Sequence, residues 1–326
     1  MQPRRLNPFY SSPRPMARIH PTMNIIETRR LAKSYGPIHA LAGIDLRVAK
    51  GAIFGFLGPN GAGKTTAMRI LVGLLRPTSG SAAIFGHDAV SKSTEVRRRP
   101  GYLPGDVRLY EWMTGRRFLD FCDAVRGNGA EREIDRLRER FDLNIDRRIR
   151  DYSRGMKQKL GLIAALMHQP ELLILDEPTT ALDPLVQQTL YDELRAAAAQ
   201  GRTILFSSHT LSEVELLCDH VAIIRRGQII EDSSIDALRR RAVRRVSLRL
   251  HDKDSKTLAL PDGAHPHESI DGTINVSWSG SIDRLTSWLA SIPLEDVTIG
   301  PPDLEDLFAA YYREGSSSDK SQERAT

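Results

Sequence analysis

The segment 58–66 has the residue types and the spacing of a loop that binds phosphate groups. It reads Gly-Pro-Asn-Gly-Ala-Gly-Lys-Thr-Thr, which fits G-x-x-x-x-G-K-[ST], and it lies between an apolar run and a helical pattern. Those flanking patterns disfavour the alternative, an ordinary turn. Glycine lets successive backbone N–H groups point inward, where they and the helix N-terminus bind the phosphates of a nucleotide. Lys64 supplies a positive charge to the β- and γ-phosphates, and the Thr65 hydroxyl can bind Mg²⁺. The predicted nucleotide-binding residues here are Gly58, Pro59, Asn60, Gly61, Ala62, Gly63, Lys64, Thr65 and Thr66.

Two carboxylates follow a second apolar run. Leu172 to Leu175 are consecutive aliphatic residues, which is typical of a central strand buried on both faces, and Asp176 and Glu177 come next. Asp176 is predicted to bind Mg²⁺ beside the phosphate loop. Glu177 is predicted to orient or deprotonate the water that attacks the γ-phosphate. An adjacent Asp-Glu pair is a weak indication alone, but it is a strong one in a chain that also has the phosphate loop.

These side chains need a scaffold in which strand ends and helix starts meet. Apolar runs alternate with helical patterns, which predicts an α/β fold with a mainly parallel sheet and ligands at the carboxyl ends of its strands. The predicted strands are 53–57, 172–175, 203–207 and 221–224, and the predicted helices between them are about 64–74 and 184–199. Short strands are expected in 24–50, and a turn at 225–228 precedes a strand at 229–230.

Helical periodicity dominates residues 106–170. One apolar face comprises Phe118, Leu119, Cys122 and Val125, and the next comprises Ile134, Leu137 and Phe141. A further helix is predicted from about Met156 to His168.

The pattern divides the chain into four parts. Residues 1–22 are rich in Pro, Arg and Ser and are predicted to be a disordered arm, with Met23 or Met16 as the expected natural start. Residues 23–235 are the predicted nucleotide-binding domain, with its helical subdomain at about 106–170. Residues 236–314 are a predicted small α+β domain, and 315–326 a disordered tail. In the α+β domain the expected strands are 246–250, 257–260, 273–278 and 295–299, and the expected helices are 281–291 and 302–313.

Composition limits the classes of function. The formal net charge is +5, but the Arg residues are interspersed with acidic ones, and the basic clusters contain no aromatic residues on which bases could stack. A solvated or partner-facing surface is therefore favoured over nucleic-acid binding. No apolar run is long enough to span a bilayer and none resembles a secretory signal, which predicts a cytoplasmic protein unless a partner recruits it to a membrane. Cys122 and Cys218 are expected to be reduced structural thiols.

Over residues 24–235 the sequence resembles the ATP-binding-cassette (ABC) ATPases, on the motifs described above. The resemblance implies ATP and Mg²⁺ as cofactors, and a P-loop ATPase fold with a mixed-sheet core and a helical subdomain. It also implies that Tyr35 stacks on adenine. By the same resemblance, His209 at the end of a predicted strand contacts the γ-phosphate and holds the catalytic geometry. Lys64, Glu177 and His209 are then the expected catalytic residues.

Two further segments look like family motifs that reach a nucleotide held by a second subunit. Tyr-Ser-Arg-Gly-Met at 152–156 lies where the family has Leu-Ser-Gly-Gly-Gln, and Ala-Leu-Asp at 181–183 looks like the D-loop. The expected nucleotide-binding residues are Ser153, Gly155 and Asp183. Ser153 and Asp183 are also plausible helix caps, which is compatible with these roles. Arg154 departs from the family pattern and either adds positive charge near the nucleotide or faces solvent.

Gly105 is a second departure from the family pattern. The family usually has a Gln here that contacts Mg²⁺ and senses the transporter, and Gly has no side chain with which to ligate a metal. Either Asp106 or water takes its place, or the metal shell is completed without this loop.

One chain carries one cassette, so the resemblance implies a head-to-tail pair. Each ATP would lie between 58–65 of one subunit and 153–155 of its mate, which is a copy or a paralogue. The C-terminal α+β part and the ending at 302–308 resemble the ATP-binding subunits of ABC-2-type exporters of drugs, natural products and polysaccharides. That resemblance implies a separate membrane permease, and a peripheral location at the cytoplasmic face of the membrane.

The alternative is a soluble ABC ATPase that acts on ribosomes or DNA. Translation-factor types usually carry two cassettes, and chromosome or repair types carry a long coiled coil or zinc cysteines between the two nucleotide motifs. This chain has one cassette and a compact helical stretch between them. A regulatory protein that binds but does not hydrolyse nucleotide is disfavoured by Glu177.

Overall fold

A six-stranded sheet forms the centre of the molecule. The computed structural model describes residues 23–250, 259–267, 273–304 and residue 308. The central sheet consists of β3 (Ile53–Leu57), β6 (Gly101–Leu103), β7 (Leu172–Asp176), β8 (Thr203–Ser208), β9 (His220–Arg225) and β10 (Gln228–Ser234), in the order β10-β9-β3-β8-β7-β6. Neighbouring strands pair in parallel except β9 and β10, which are antiparallel. The predicted α/β fold with a mixed sheet is confirmed.

The central strands are buried on both faces of this sheet. Every residue of β3, β7 and β8 is buried. Because successive side chains of a strand point to opposite faces, each strand feeds two cores. Leu173 and Leu175 pack in one core with the helices that follow residue 106, while Leu172 and Ile174 pack in the other with β1, β2 and α1.

A second, antiparallel sheet covers one face of the central sheet. It consists of β1 (Asn24–Tyr35), β2 (Ile38–Ala49), β4 (Ser79–Ile84) and β5 (His87–Asp88), in the order β2-β1-β4-β5. The strands within 24–50 are 12 residues each, so the prediction of short strands was wrong. Register shifts interrupt the regular pairing of β1 with β2 at several points.

Six helices belong to this part of the chain up to residue 199. They are α1 (Lys64–Leu71), α2 (Ser93–Arg98), α3 (Gly115–Arg126), α4 (Glu131–Arg140), α5 (Arg154–Leu166) and α6 (Pro184–Ala199). The first ends earlier than predicted because the chain turns left-handed at Gly73, where φ is +66°. Val125 is 71% exposed, so it does not belong to the buried face of α3 that contains Leu119.

A third sheet lies in the C-terminal part. After α7 (Leu211–Leu217) and α8 (Ile235–Arg241) come β11 (Val243–Leu250), β12 (Ala264–Pro266), β13 (Thr273–Trp278), α9 (Ile282–Ala290) and β14 (Leu294–Asp303). The sheet is antiparallel in the order β12-β13-β11-β14, and α9 packs on it through Leu285 and Leu289. Buried Leu304 and Phe308 join the core of the nucleotide-binding part.

Two C-terminal predictions need correction. The predicted strand 257–260 lies partly outside the described residues, and its described half, 259–260, is irregular. The predicted helix 302–313 starts too early, because β14 runs to Asp303. Most of that helix lies outside the described residues, as do residues 1–22 and 315–326. In the described ranges, no helix is long and apolar enough to cross a membrane.

Candidate nucleotide site

The loop between β3 and α1 wraps tightly around its own backbone. The φ angles of Gly61 and Gly63 are +81° and +113°, values that side chains rarely tolerate. Gly58 is needed for a different reason, since a Cβ there would lie 2.3 Å from the carbonyl oxygen of Ile224 in β9. The glycine spacing in the sequence therefore reflects two constraints, backbone direction and close packing of the loop against the sheet.

Lys64 lies inside this loop and is 4% exposed. Its ammonium donates to the carbonyl oxygens of Gly58 and Pro59 at 2.6 and 3.2 Å, and lies 3.3 Å from the Glu177 carboxylate. The positive charge is thus held by two backbone carbonyl oxygens of the loop and the Glu177 carboxylate. That arrangement suits an anionic phosphate better than a mobile surface lysine would.

Asp176 is fully buried at the end of β7, next to the phosphate loop. Its Oδ2 accepts a 2.6 Å hydrogen bond from the Thr65 hydroxyl, and its Oδ1 accepts one of 2.7 Å from Ser207. Asp176 and Thr65 together offer the oxygen ligands that Mg²⁺ prefers, and Mg²⁺ commonly takes few protein ligands, completing its shell with phosphate and water. The described residues contain no cluster of three or more His, Cys, Asp or Glu that could hold a metal by itself.

Glu177 follows in a left-handed backbone conformation, with φ of +47°. This conformation directs its carboxylate away from the strand and between two partners. One oxygen lies 3.3 Å from the Lys64 ammonium, and the other lies 3.5 Å from Nδ1 of His209. The structure therefore brings Lys64, Glu177 and His209, all predicted from different parts of the sequence, into one cluster.

An open cleft lies above the loop. It is lined by Ala40, the loop residues 60–66 and Glu177. Tyr35 lies at the end of β1, just before the turn into β2, and its ring is half-exposed with the Lys33 ammonium 5.1 Å from the ring centre. The ring is available for stacking, as the predicted adenine contact requires.

Ser153 and Asp183 are both helix caps. The Ser153 hydroxyl accepts from the N–H of Met156 at the start of α5, and one Asp183 oxygen accepts from the N–H groups of Leu185 and Val186 at the start of α6. Both residues are exposed, and so is Arg154 at the first position of α5. Both residues therefore cap helices, as their positions predict, and the capped start of α5 remains exposed to solvent.

The start of α5 packs against the chain that leads into α6. A Cβ on Gly155 would lie 2.7 Å from the carbonyl oxygen of Ala181, so glycine allows this contact. Further along α5, the buried Gln158 amide donates to the carbonyl oxygen of Pro178 at 3.0 Å. The two motifs predicted to reach a second nucleotide are therefore adjacent, and Gln158 ties them to the segment that carries Glu177.

Gly105 lies against Asp176. A Cβ there would be 3.1 Å from Asp176 Oδ2, so the backbone of this loop approaches the carboxylate closely. The Asp106 carboxylate instead pairs with Arg108 at 2.8 Å in an exposed position. In this conformation Asp106 does not replace the missing Gln. Nearby Tyr102 is largely buried, and burial followed by the negative charge of Asp176 raises the pKa of Tyr102 to about 12, which keeps the phenol neutral.

Sequence reasoning missed two residues of this site. The sequence pattern places Ser207 only in a strand, although its hydroxyl contacts both Asp176 and the Glu177 backbone. The pattern places Gln158 only in a helix. A polar residue at a fully buried strand position was the available signal for Ser207; Gln158 gave none, because helices carry Gln freely on their surfaces.

A tightly wound phosphate loop after β3, a buried Asp at the end of β7 and a Glu-His pair beside it define a P-loop nucleotide-hydrolysing protein. The sequence profile of the ABC transporter family matches residues 41–180. The bacitracin transport ATP-binding protein BcrA of Bacillus licheniformis is 36% identical over 87% of this chain and 96% of its own length. The daunorubicin/doxorubicin resistance ATP-binding protein DrrA of Streptomyces peucetius is 35% identical over 87% of this chain and 91% of its own length.

Solved structures agree with these sequence relatives. An ATP-binding subunit of an ABC transporter superposes with a TM-score of 0.63 at 30% identity, over 66% of this chain and 92% of that one. The chain therefore belongs to the ATP-binding subunits of the ABC transporter family. It binds and hydrolyses ATP, as members of this family do.

Proposed function

We propose that this chain hydrolyses MgATP as one of a head-to-tail pair, and that the pair drives export through a separate membrane permease. The observation that carries the proposal is the position of the Glu177 carboxylate, between Lys64 and His209 and beside the Thr65–Asp176 pair. Charges of both signs and oxygen ligands meet there at the mouth of one cleft.

Each residue of the cluster has a role that fits its geometry. The N–H groups of 58–66 and the Lys64 ammonium bind the phosphates. Thr65 and Asp176 hold Mg²⁺, which neutralises phosphate charge when bound. Glu177 accepts a proton from the attacking water or orients it, and His209 holds the Glu177 carboxylate and contacts the γ-phosphate.

Pairing follows from what a single chain leaves exposed. The N-terminus of α5 has exposed Ser153 and Arg154 and half-buried Gly155, and it carries the partial positive charge of a helix N-terminus. In the proposed pair it faces the γ-phosphate held by the other subunit, and Asp183 crosses nearby. ATP then joins the two subunits, and hydrolysis lets them part.

Export through a permease is supported by the two relatives named for bacitracin transport and for daunorubicin and doxorubicin resistance, whose likeness extends over most of the chain. An antibiotic-like cargo is the corresponding proposal. The permease would hold the pair at the cytoplasmic face of the membrane.

An exposed cluster of three aromatic rings, Tyr110, Trp112 and Phe121, offers an apolar surface for a protein partner.

The catalytic part is tested with Glu177→Gln in the full chain. The variant should bind ATP with wild-type affinity, because Gln fills the same space, and should lower the turnover rate by about two to four powers of ten, because the proton acceptor is lost. It should also accumulate as an ATP-bound dimer. Lys64→Ala is the contrasting variant, since it should weaken ATP binding itself. Unchanged turnover in Glu177→Gln would remove Glu177 from this role.

The transport part is tested by purifying the tagged chain from its own cells under mild conditions. Recovery of a polytopic membrane protein is the expected result. Recovery of ribosomes or DNA with no membrane protein would replace the exporter proposal with a soluble function.

A further inference from the structure

The hydroxyl of Ser207 is shared between the two acidic residues of the site. Its oxygen donates a hydrogen bond to Asp176 Oδ1 at 2.7 Å and accepts one from the Glu177 N–H at 2.9 Å. Ser207 is fully buried and lies directly across from Asp176 in the β7–β8 pairing. Because the sheet fixes the backbone on both sides, this hydroxyl has one position and two partners.

The first contact fixes the direction of the Asp176 carboxylate. Rotation of an Asp carboxylate about χ2 is soft, with broad preferences rather than sharp wells. Ser207 holds Oδ1, which leaves Oδ2 directed at the Thr65 hydroxyl 2.6 Å away. Ser207, which contacts Oδ1, therefore determines the direction of Oδ2, the oxygen that faces the phosphate loop.

The second contact supports the unusual backbone of Glu177. A non-glycine residue with φ of +47° is strained by about 1–3 kcal/mol and persists only when its surroundings hold it. The N–H of Glu177 is held by Ser207, and its carbonyl oxygen accepts from the N–H of Thr180 at 3.2 Å. This backbone directs the Glu177 carboxylate towards Lys64 and His209.

We propose that Ser207 is a positioning residue that sets Asp176 for Mg²⁺ and Glu177 for the attacking water at the same time. The inference rests on the proposed MgATP chemistry of these two acids. Ser and Thr place a good donor and a good acceptor on one oxygen close to the backbone, so Ala removes both contacts and Thr keeps them. Ser207 itself does not touch substrate in this account; it acts through its neighbours.

The test compares Ser207→Ala and Ser207→Thr with Thr203→Val in the full chain. Thr203 is the matched control, because it is a fully buried residue of the same strand whose hydroxyl accepts from the N–H of Gly51, away from the two acids. Two quantities are measured: ATP affinity with Mg²⁺ and with EDTA, and the Mg²⁺ concentration that gives half-maximal turnover.

Ser207→Ala should bind ATP in EDTA like wild type, but it should lose most of the gain in affinity that Mg²⁺ gives. Its half-maximal Mg²⁺ concentration should rise about 10-fold and its maximal rate should fall about 10- to 100-fold, the usual range for a group that orients a metal ligand. Ser207→Thr should restore both values. Thr203→Val should lose stability without changing the Mg²⁺ dependence.

The inference is overturned if Ser207→Ala matches Thr203→Val in Mg²⁺ dependence and in maximal rate. If Ser207→Ala does not fold, Ser207→Cys supplies the same comparison, because sulfur fills the space but donates and accepts weakly. A wild-type chain whose ATP binding ignores Mg²⁺ would instead overturn the proposed metal site, which separates failure of the function from failure of the Ser207 inference.

Discussion

Replacing Gly63 by alanine should damage the phosphate loop far more than replacing Gly61, although both have positive φ angles. The difference lies in the space around them. A Cβ on Gly61 would have no neighbour within 4 Å, whereas a Cβ on Gly63 would lie 2.5 Å from the carbonyl oxygen of Ala40 and 2.9 Å from the Leu41 side chain.

The expected magnitudes follow from these two terms. The left-handed backbone alone costs an alanine about 1–2 kcal/mol, which is the whole effect expected for Gly61→Ala. Gly63→Ala carries the same cost and also forces the Ala40 backbone to move, and overpacking of this kind adds about 1–3 kcal/mol. Since Gly63 caps α1, the displacement falls on the N–H groups that bind phosphate. At about 1.4 kcal/mol per tenfold, ATP affinity should fall by at most about 5- to 30-fold for Gly61→Ala and by about 30-fold or more for Gly63→Ala.

Calorimetric titration with ATP and Mg²⁺ measures these affinities, and urea unfolding measures the accompanying loss of stability. Gly129→Ala is the control, because Gly129 has a φ of +117°, close to the +113° of Gly63, with open space around it and a position in the α3–α4 connection. It should lose stability but keep wild-type ATP affinity. Equal affinities for Gly61→Ala and Gly63→Ala would refute the steric reasoning.

Two further predictions concern Gly105 and His168. Gly105→Gln should raise the half-maximal Mg²⁺ concentration for ATP hydrolysis several-fold, because the added side chain crowds Asp176 Oδ2; a lower concentration would show that Gln restores a missing ligand. Burial, reinforced by Arg126, lowers the pKa of His168 to about 4. The unfolded chain, with a His pKa near 6.5, therefore takes up a proton that the folded chain does not, so stability should fall by about 1–2 kcal/mol from pH 7 to pH 5. Urea unfolding at both pH values measures this change, and the loss of stability between pH 7 and pH 5 should be smaller in His168→Gln. An equal loss in His168→Gln would show that His168 does not cause it.

Much of the central fold was predictable because the sequences of its central strands are almost entirely apolar. The run at 172–175 is aliphatic, and the run at 53–57, Ile-Phe-Gly-Phe-Leu, contains no charged or polar side chain; both patterns suit a strand covered on both faces. The phosphate loop was predictable because its residues follow one another at a fixed short spacing, G-x-x-x-x-G-K-[ST]. The lengths of β1 and β2 were not, because their register shifts depend on pairing partners far away in the sequence.

Site residues were predictable where a local sequence motif identifies them. They were less predictable where their role depends on contacts between neighbouring strands. Asp176 and Glu177 could be identified because they directly follow an apolar run that is typical of a buried strand. The hydrogen bonds from Ser207 to both residues form only because β8 lies beside β7 in the sheet. The sequences of the two strands do not predict that they are neighbours. Gly105 shows the same limit: its sequence position suggests a lost ligand, whereas its surroundings show a backbone pressed against Asp176.

The most direct test of the account is a cross-link between the two halves of the proposed composite site. Cys122 and Cys218 are first replaced by serine and alanine in the Glu177→Gln background, and Asn60→Cys and Arg154→Cys are then placed in separate copies, which leaves Ser153 and Gly155 intact. If the pair is head-to-tail, the mixed copies should give a disulfide-linked dimer when MgATP is present and little of it without MgATP. Mixed copies that bind ATP yet yield no more dimer with MgATP than without it would contradict the head-to-tail pair.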